Sequence, residues 1–203
     1  MSDGEFETIT LDVDADAHVA TLTLNRPEKL NAFNRRMCGE VKDAWHRIKA
    51  DPTVNAVVVR AVGDRAFSAG LDVSEDFGQP DDVWNHEDPG EYLSPKWQQV
   101  WKPVVCAVQG ICTAGALYFV NEADVVICSD DATFFDSHVT YGLVSAIEPV
   151  GLMRRIGLGE TLRIASRVPR TASGALRLTS AAISFARESS WSCSTTSEII
   201  PRS

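Results

Sequence analysis

The chain has 203 residues, 44% of them hydrophobic and 23% charged, the balance of an ordinary globular protein with enough length for one large core. Its formal net charge of −9 argues against nucleic acid or an anionic membrane surface as a partner, so an anionic ligand must be met by locally placed cations or helix N-termini. No apolar run approaches the ~20 residues that span a bilayer, and the acidic, polar start does not read as a signal peptide.

Cys38, Cys106, Cys112, Cys128 and Cys193 include no C-x-x-C pair, and the four histidines form no metal-ligand cluster. Free thiols, a reducing cytoplasmic setting and no metal are therefore expected. His18 to Asn25 alternates and is rich in β-formers, which predicts a strand that Arg26-Pro27 ends. A helix is expected over about 34–50, where Met37, Val41, Ala44, Trp45 and Ile48 share a face and Asp51-Pro52 stops it. Residues 55–62 read as a buried strand, turned by Gly63-Asp64. The acidic stretch 74–92 reads as a solvated loop, or else as a flap over a site. Trp97 and Trp101, four apart before Pro103, suggest core anchors on a short helix. Strands follow at 104–108, 124–129 and 132–135, with a short helix at 114–122 and helices opening at Pro149 and at Gly159-Glu160. Strands alternating with helices indicate an α/β fold.

The chain changes character after Ala165. Residues 166–203 hold ten serines and five arginines with no lysine or aspartate, and apolar periodicity is poor after Phe185, so a weakly packed or disordered tail is expected. The division is a core over 1–165 and an atypical Ser/Arg-rich segment over 166–203.

Two short segments carry the chemistry: Phe67-Ser68-Ala69-Gly70-Leu71-Asp72 and Gly110-Ile111-Cys112-Thr113-Ala114-Gly115-Ala116. Each sets glycine and small residues where a strand gives way to a turn or helix, so backbone N–H groups can face a pocket unobstructed. Two such donors converging on one oxygen form an oxyanion hole, which points to chemistry on a carbonyl. No G-x-S-x-G elbow and no G-x-G-x-x-G fingerprint occurs, which argues against a serine hydrolase and a dinucleotide-binding domain.

These segments, together with Thr23 to Phe33, Lys102 to Asp124, Tyr141-Gly142-Leu143 and Gly151 to Gly157, resemble the enoyl-CoA hydratase/isomerase (crotonase) superfamily from about Val19 to Ala165. The resemblance implies a crotonase-like spiral of ββα units that binds an acyl-CoA thioester and stabilises its enolate. It places the oxyanion donors at Leu71 N–H and Gly115 N–H, each typically worth about 2.7–4 kcal/mol in the transition state. It places the CoA at Lys29, Leu30, Ala32, Ala69, Gly70, Asp72 and Ala114. Coenzyme A would enter as part of the substrate, with no separate cofactor, and the assembly would be a homo-trimer or a pair of trimers.

The chain departs from that family in two places. The two glutamates that handle water and its protons in the hydratases correspond here to Tyr118 and His138. Asp136, two residues before His138, would share a face with it in an extended segment and orient the imidazole, and Glu148 is a further acid nearby in sequence. His138, Tyr118 and Asp136 are therefore the candidate proton-transfer residues, and isomerisation or hydrolysis fits them better than hydration. The usual C-terminal helical region is missing or replaced by the segment after Ala165, as a reading-frame change or truncation near codon 166 would cause. The alternative is a non-catalytic CoA-thioester binder or a truncated inactive family member.

Overall fold

A computed structural model describes residues 6–75, 82, 84 and 88–166. Two β-sheets share one core. Strands β1 (Ile9–Asp14) and β2 (Val19–Leu24) pair antiparallel; β2 leads through helix α1 (Arg35–Ala50) to β3 (Ala56–Ala61), which pairs parallel with it. The chain then passes three times between the sheets. It runs from β3 to β4 (Ala66–Ser68), from β5 (Val104–Val108) to β6 (Ile111–Thr113), and from β7 (Val125–Cys128) to β8 (Thr133–Phe135). Helix α2 (Leu117–Glu122) follows β6 and helix α3 (Ile147–Ala165) follows β8. The larger sheet has the order β1-β2-β3-β5-β7 and the smaller one β4-β6-β8, parallel throughout. This is the expected α/β spiral of ββα units.

Local chemistry accounts for these elements. The Asn34 side chain caps α1 by accepting from Met37 N–H at 2.9 Å, and Lys102 Nζ closes its other end on the carbonyls of Ile48 (2.6 Å) and Asp51 (2.5 Å). Met37, Val41, Ala44, Trp45 and Ile48 all face the core, as their spacing requires. There they meet Leu22, Val57 and Val59 of the larger sheet, Phe67 and Cys112 of the smaller one, and Phe119 of α2. Phe67 and Phe119 pack edge to face with ring centres 5.9 Å apart. Cys38, Cys106 and Cys112 are buried free thiols and Cys128 is a half-buried one.

The structure differs from expectation at several points. β1 has no counterpart among the expected strands: it is an edge strand in which only Ile9 is fully buried, and Asp12 and Asp14 mask its alternation. Trp97 and Trp101 do not anchor the core; they are 48% and 75% exposed, and Leu93 and Val100 fill the interior beside them. The end of the acidic stretch is no solvated loop, because Pro89–Leu93 forms a 3₁₀ turn that buries Gly90 and Leu93 and is fixed by Trp45 Nε1 donating to Leu93 O at 3.1 Å. As expected, two consecutive helical stretches make up Ile147–Ala165, separated by a kink where Gly157 takes a non-helical φ of +78. Residues 167–203, and with them Cys193, lie outside the described residues.

Asn31 fixes the loop between β2 and α1. It sits at φ +51 with its side chain buried, accepting from Arg26 N–H at 2.9 Å and donating to the carbonyls of Val62 (2.9 Å) and Ala66 (3.0 Å). Asn31→Ala removes the partner of one buried backbone group, Ala66 O, and of two part-buried ones, Arg26 N–H and Val62 O. A loss of about 3 kcal/mol is expected in urea unfolding with an unchanged m value.

Candidate active site

The parallel smaller sheet brings three chain segments to one edge. In its register Ser68 lies beside Cys112 and Thr113 beside Phe135, so residues 69–72, 114–118 and 136–138 all leave the C-terminal ends of neighbouring strands. Adjacent strands run ~4.8 Å apart, which sets the two outer segments ~10 Å apart with the middle one between them. Ligand crevices of parallel sheets lie at such ends. Two buried polar atoms without a hydrogen-bond partner, Thr113 Oγ1 and Asp136 Oδ2, sit at this same edge.

The first segment presents one backbone donor. Ala69 N–H donates to Leu30 O (3.0 Å), Gly70 N–H to Ser68 Oγ (3.1 Å) and Asp72 N–H to Phe33 O (3.0 Å), while Phe33 N–H donates to Gly70 O (2.8 Å). Phe33 thus pairs with the carbonyl before Leu71 and the N–H after it, as in a parallel bridge. The pairing turns Leu71 N–H away from Phe33, and that group donates to no protein acceptor among the described residues. Gly115 lies in the 3₁₀ turn Ala114–Ala116 that opens α2, where an N–H has no acceptor within the helix and the helix dipole adds positive potential. The two segments touch. Gly70 has φ +86, and a Cβ there would lie 2.9 Å from Ala114 Cβ and 3.4 Å from Gly115 N. Ala114 itself takes φ +50, a strained conformation for a residue with a side chain. A Cβ on Gly115 would collide with the Phe33 ring.

The acid–base groups gather next to them. Asp136 Oδ1 lies 2.5 Å from His138 Nδ1 and accepts from His138 N–H at 3.0 Å. The contact forms as expected, but in a turn rather than an extended segment, because Ser137 is helical (φ −95, ψ −6) and His138 opens a 3₁₀ turn. On the other side of the ring, Glu148 Oε1 is 3.7 Å from Nε2. Tyr118, one turn beyond Gly115, donates to Asp88 Oδ2 at 2.8 Å, and its ring packs against Gly90. Hydrogen bonding to Asp136 raises the His138 pKa above its ordinary value, against the opposing effect of burial. Burial works to raise Asp136, but the hydrogen bonds from His138 and Ser145 outweigh it and leave that carboxyl below its usual range. Burial lifts Glu148 above the usual glutamate range, and burial with the bond to Asp88 lifts Tyr118, so Tyr118 is a neutral hydroxyl at physiological pH.

Asp88 belongs to the site and was not among the sequence candidates. Seven acids crowd the surrounding stretch, and nothing in their spacing singles it out. Of the remaining candidates, Ala32, Gly70 and Ala114 are buried, Leu30 and Ala69 half-buried, and Lys29 exposed. Asp72 is buried with its carboxylate engaged by Arg26 Nη2 at 3.1 Å and Ser74 Oγ at 2.5 Å, so it stabilises the loop rather than offering a free charge. A cavity of about 270 Å³ opens beside Leu30, lined in part by Glu28, Asn31, Gly63 and Arg65. No helix among the described residues is long and apolar enough to cross a membrane.

The enoyl-CoA hydratase/isomerase family model matches residues 14–170. The chain belongs to the enoyl-CoA hydratase/isomerase family. It is 39% identical to an enoyl-CoA hydratase/isomerase from Mycobacterium paratuberculosis of solved structure, with a TM-score of 0.70 over 79% of this chain and 62% of that one. It is 33% identical to the mitochondrial Delta(3,5)-Delta(2,4)-dienoyl-CoA isomerase of Rattus norvegicus over 77% of this chain and 50% of the relative. It is 29% identical to (E)-benzylidenesuccinyl-CoA hydratase of Thauera aromatica over 62% of this chain and 48% of the relative. The chain thus spans about half the length of the curated relatives it matches.

In this family member the Asp136–His138 pair also ties stability to pH. Asp136, held below its ordinary 3.8, contributes fully above that value and loses its contribution as pH falls through the lowered one. His138, held above its ordinary 6.5, contributes fully below that value and loses its contribution as pH rises through the raised one. The pair is therefore at full strength between 3.8 and 6.5. Asp136→Asn is expected to cost about 2 kcal/mol in urea unfolding at about pH 5.5, and less once the pH has risen through the raised midpoint of His138.

Proposed function

We propose that this chain binds an acyl-CoA thioester at the edge of the smaller sheet and moves a proton at the carbon next to the carbonyl, through an enolate. The observation that carries the reading is the contact of the two glycine segments at Gly70, which sets the unengaged N–H of Leu71 and the helix-opening N–H of Gly115 on adjacent segments. A thioester oxygen between them would gain negative charge as the enolate forms, and fixed donors stabilise that charge without reorganising. Family membership supports the thioester as ligand.

His138 is the proton carrier in this reading, oriented by Asp136, and the Tyr118 hydroxyl is a neutral donor one turn from Gly115. The pair of glutamates used for hydration is absent from positions 118 and 138, so addition of water is not the outcome these residues favour. Double-bond migration in an enoyl-CoA needs only a proton removed and returned, and fits them better. The cavity beside Leu30 supports a place for the nucleotide end, with Arg65 in its lining and Lys29 next to it in the chain.

The test is deuterium incorporation. The full chain is incubated in D₂O with a panel of saturated and unsaturated acyl-CoA esters, and label at the carbons flanking the double bond is followed by NMR. Exchange is expected with at least one enoyl ester, and His138→Asn should slow it by ~10²–10⁴. Saturable binding with no exchange or turnover across the panel makes the protein a non-catalytic thioester binder.

A further inference from the structure

Both ring nitrogens of His138 face carboxylates. Nδ1 lies 2.5 Å from Asp136 Oδ1, and Nε2 lies 3.7 Å from Glu148 Oε1. The two acids come from different elements, the end of β8 and the first turn of α3, and both are at least 95% buried. Glu148 is held in place from several sides. Its backbone carbonyl accepts from Asn121 Nδ2 of α2 at 3.0 Å, and its Oε2 accepts from Ser145 Oγ at 3.4 Å. Arg155 Nε, further along α3, donates to Asn121 O at 2.9 Å and locks the start of α3 against the end of α2.

The proton count follows from valence. A neutral imidazole has one N–H and can face one carboxylate with a donor; the second carboxylate would meet a nitrogen lone pair. An imidazolium has two N–H groups, so it donates to Asp136 and turns a positively charged N–H toward Glu148 at 3.7 Å. The other groups facing the ring point the same way. Asp88, from the turn before α2, adds a third acid, and Tyr118 on α2 is a neutral hydroxyl already bonded to Asp88. The charged groups that bear on His138 from its own segment, from α3 and from the 88–93 turn are all carboxylates.

We propose that Glu148 is a positioning residue that acts through His138: with Asp136 it keeps the imidazole doubly protonated at neutral pH, so the resting site holds a proton donor rather than a base at position 138. As the enolate forms, a carboxylate of the site takes the proton from the substrate carbon. The Nε2–H bond then breaks, a C–H bond forms on the enolate, and a neutral imidazole remains with its Nδ1–H on Asp136. The carboxylic acid returns its proton to the imidazole to restore the resting state. The inference rests on the reading of His138 as the proton carrier, and extends it to the charge state in which the site waits for substrate.

The test is a titration of His138 in the full chain, labelled with ¹⁵N-histidine and assigned by the resonance that His138→Asn removes. The wild-type ring is expected to keep both protons past neutral pH. Glu148→Gln should lower its midpoint by about one pH unit, a tenfold loss of proton affinity. Glu148→Asp, which keeps the charge but draws it back by one methylene, should fall between the two. A Glu148→Gln midpoint unchanged from wild type, in protein with wild-type circular dichroism, overturns the proposal. If Glu148→Gln does not fold, an unchanged midpoint in Glu148→Asp overturns it equally. In active enzyme, the alkaline limb of kcat/KM should move down with the midpoint. The titration needs no substrate, so it fails independently of deuterium exchange. A lowered midpoint without exchange removes the catalytic reading, whereas exchange with an unmoved midpoint removes only the role of Glu148.

Discussion

Phe33 holds the residues on both sides of Leu71. Its N–H takes the carbonyl of Gly70 and its own carbonyl takes the N–H of Asp72, so the peptide N–H of Leu71 has to face the opposite way. The same residue sends its ring against Gly115, where no side chain could fit. One aromatic residue in the loop after β2 therefore fixes the direction of one donor and the approach of the other. Its own position is set by Asn31 and by Arg26, whose guanidinium bridges Ala32 O at 2.6 Å and the Asp72 carboxylate at 3.1 Å. The N-terminal loop is thus part of the site, although it carries none of the reacting groups.

The acid–base side is built on a different plan. Positions 118 and 138, a tyrosine and a histidine here, are taken in the proposed function as the counterparts of the two glutamates of the hydratases. Two sets of contacts meet here: His138 lies between Asp136 after β8 and Glu148 in α3, and Tyr118 in α2 donates to Asp88 in the 88–93 turn. Tyr118 places a neutral hydroxyl here, hydrogen-bonded to the Asp88 carboxylate at 2.8 Å. A histidine at 138 supplies a group that titrates near neutrality, with acids on both ring nitrogens to set its charge. In the proposed function this arrangement serves to move a proton along an acyl chain rather than to activate water.

Much of this was legible in the sequence. The helix over 35–50 and strand β2 follow from periodicity, and β3, β5 and β7 from continuous apolar, β-branched runs. The failures have physical causes. β1 is an exposed edge whose acids hide a weak alternation. Trp97 and Trp101 carry the right spacing for a core face, but the turn that bears them presents Val100 inward instead. Asp88 lies thirty residues from Tyr118 in the chain, so only the folded turn reveals the pair. The Asp136–His138 contact was anticipated for a geometric reason that does not hold: an Asp side chain accepting from the N–H two residues on makes a turn, and that turn brings the ring to the carboxylate.

The central claim is that Leu71 N–H and Gly115 N–H polarise a bound thioester carbonyl. Raman difference spectroscopy of a bound, slowly reacting acyl-CoA reads that directly. The account predicts a carbonyl stretch at lower frequency than in free solution, relaxing toward the free value in Gly115→Ala, where the added methyl must displace Phe33 or the helix start. A tightly bound ligand whose carbonyl stretch matches the free ester would contradict it.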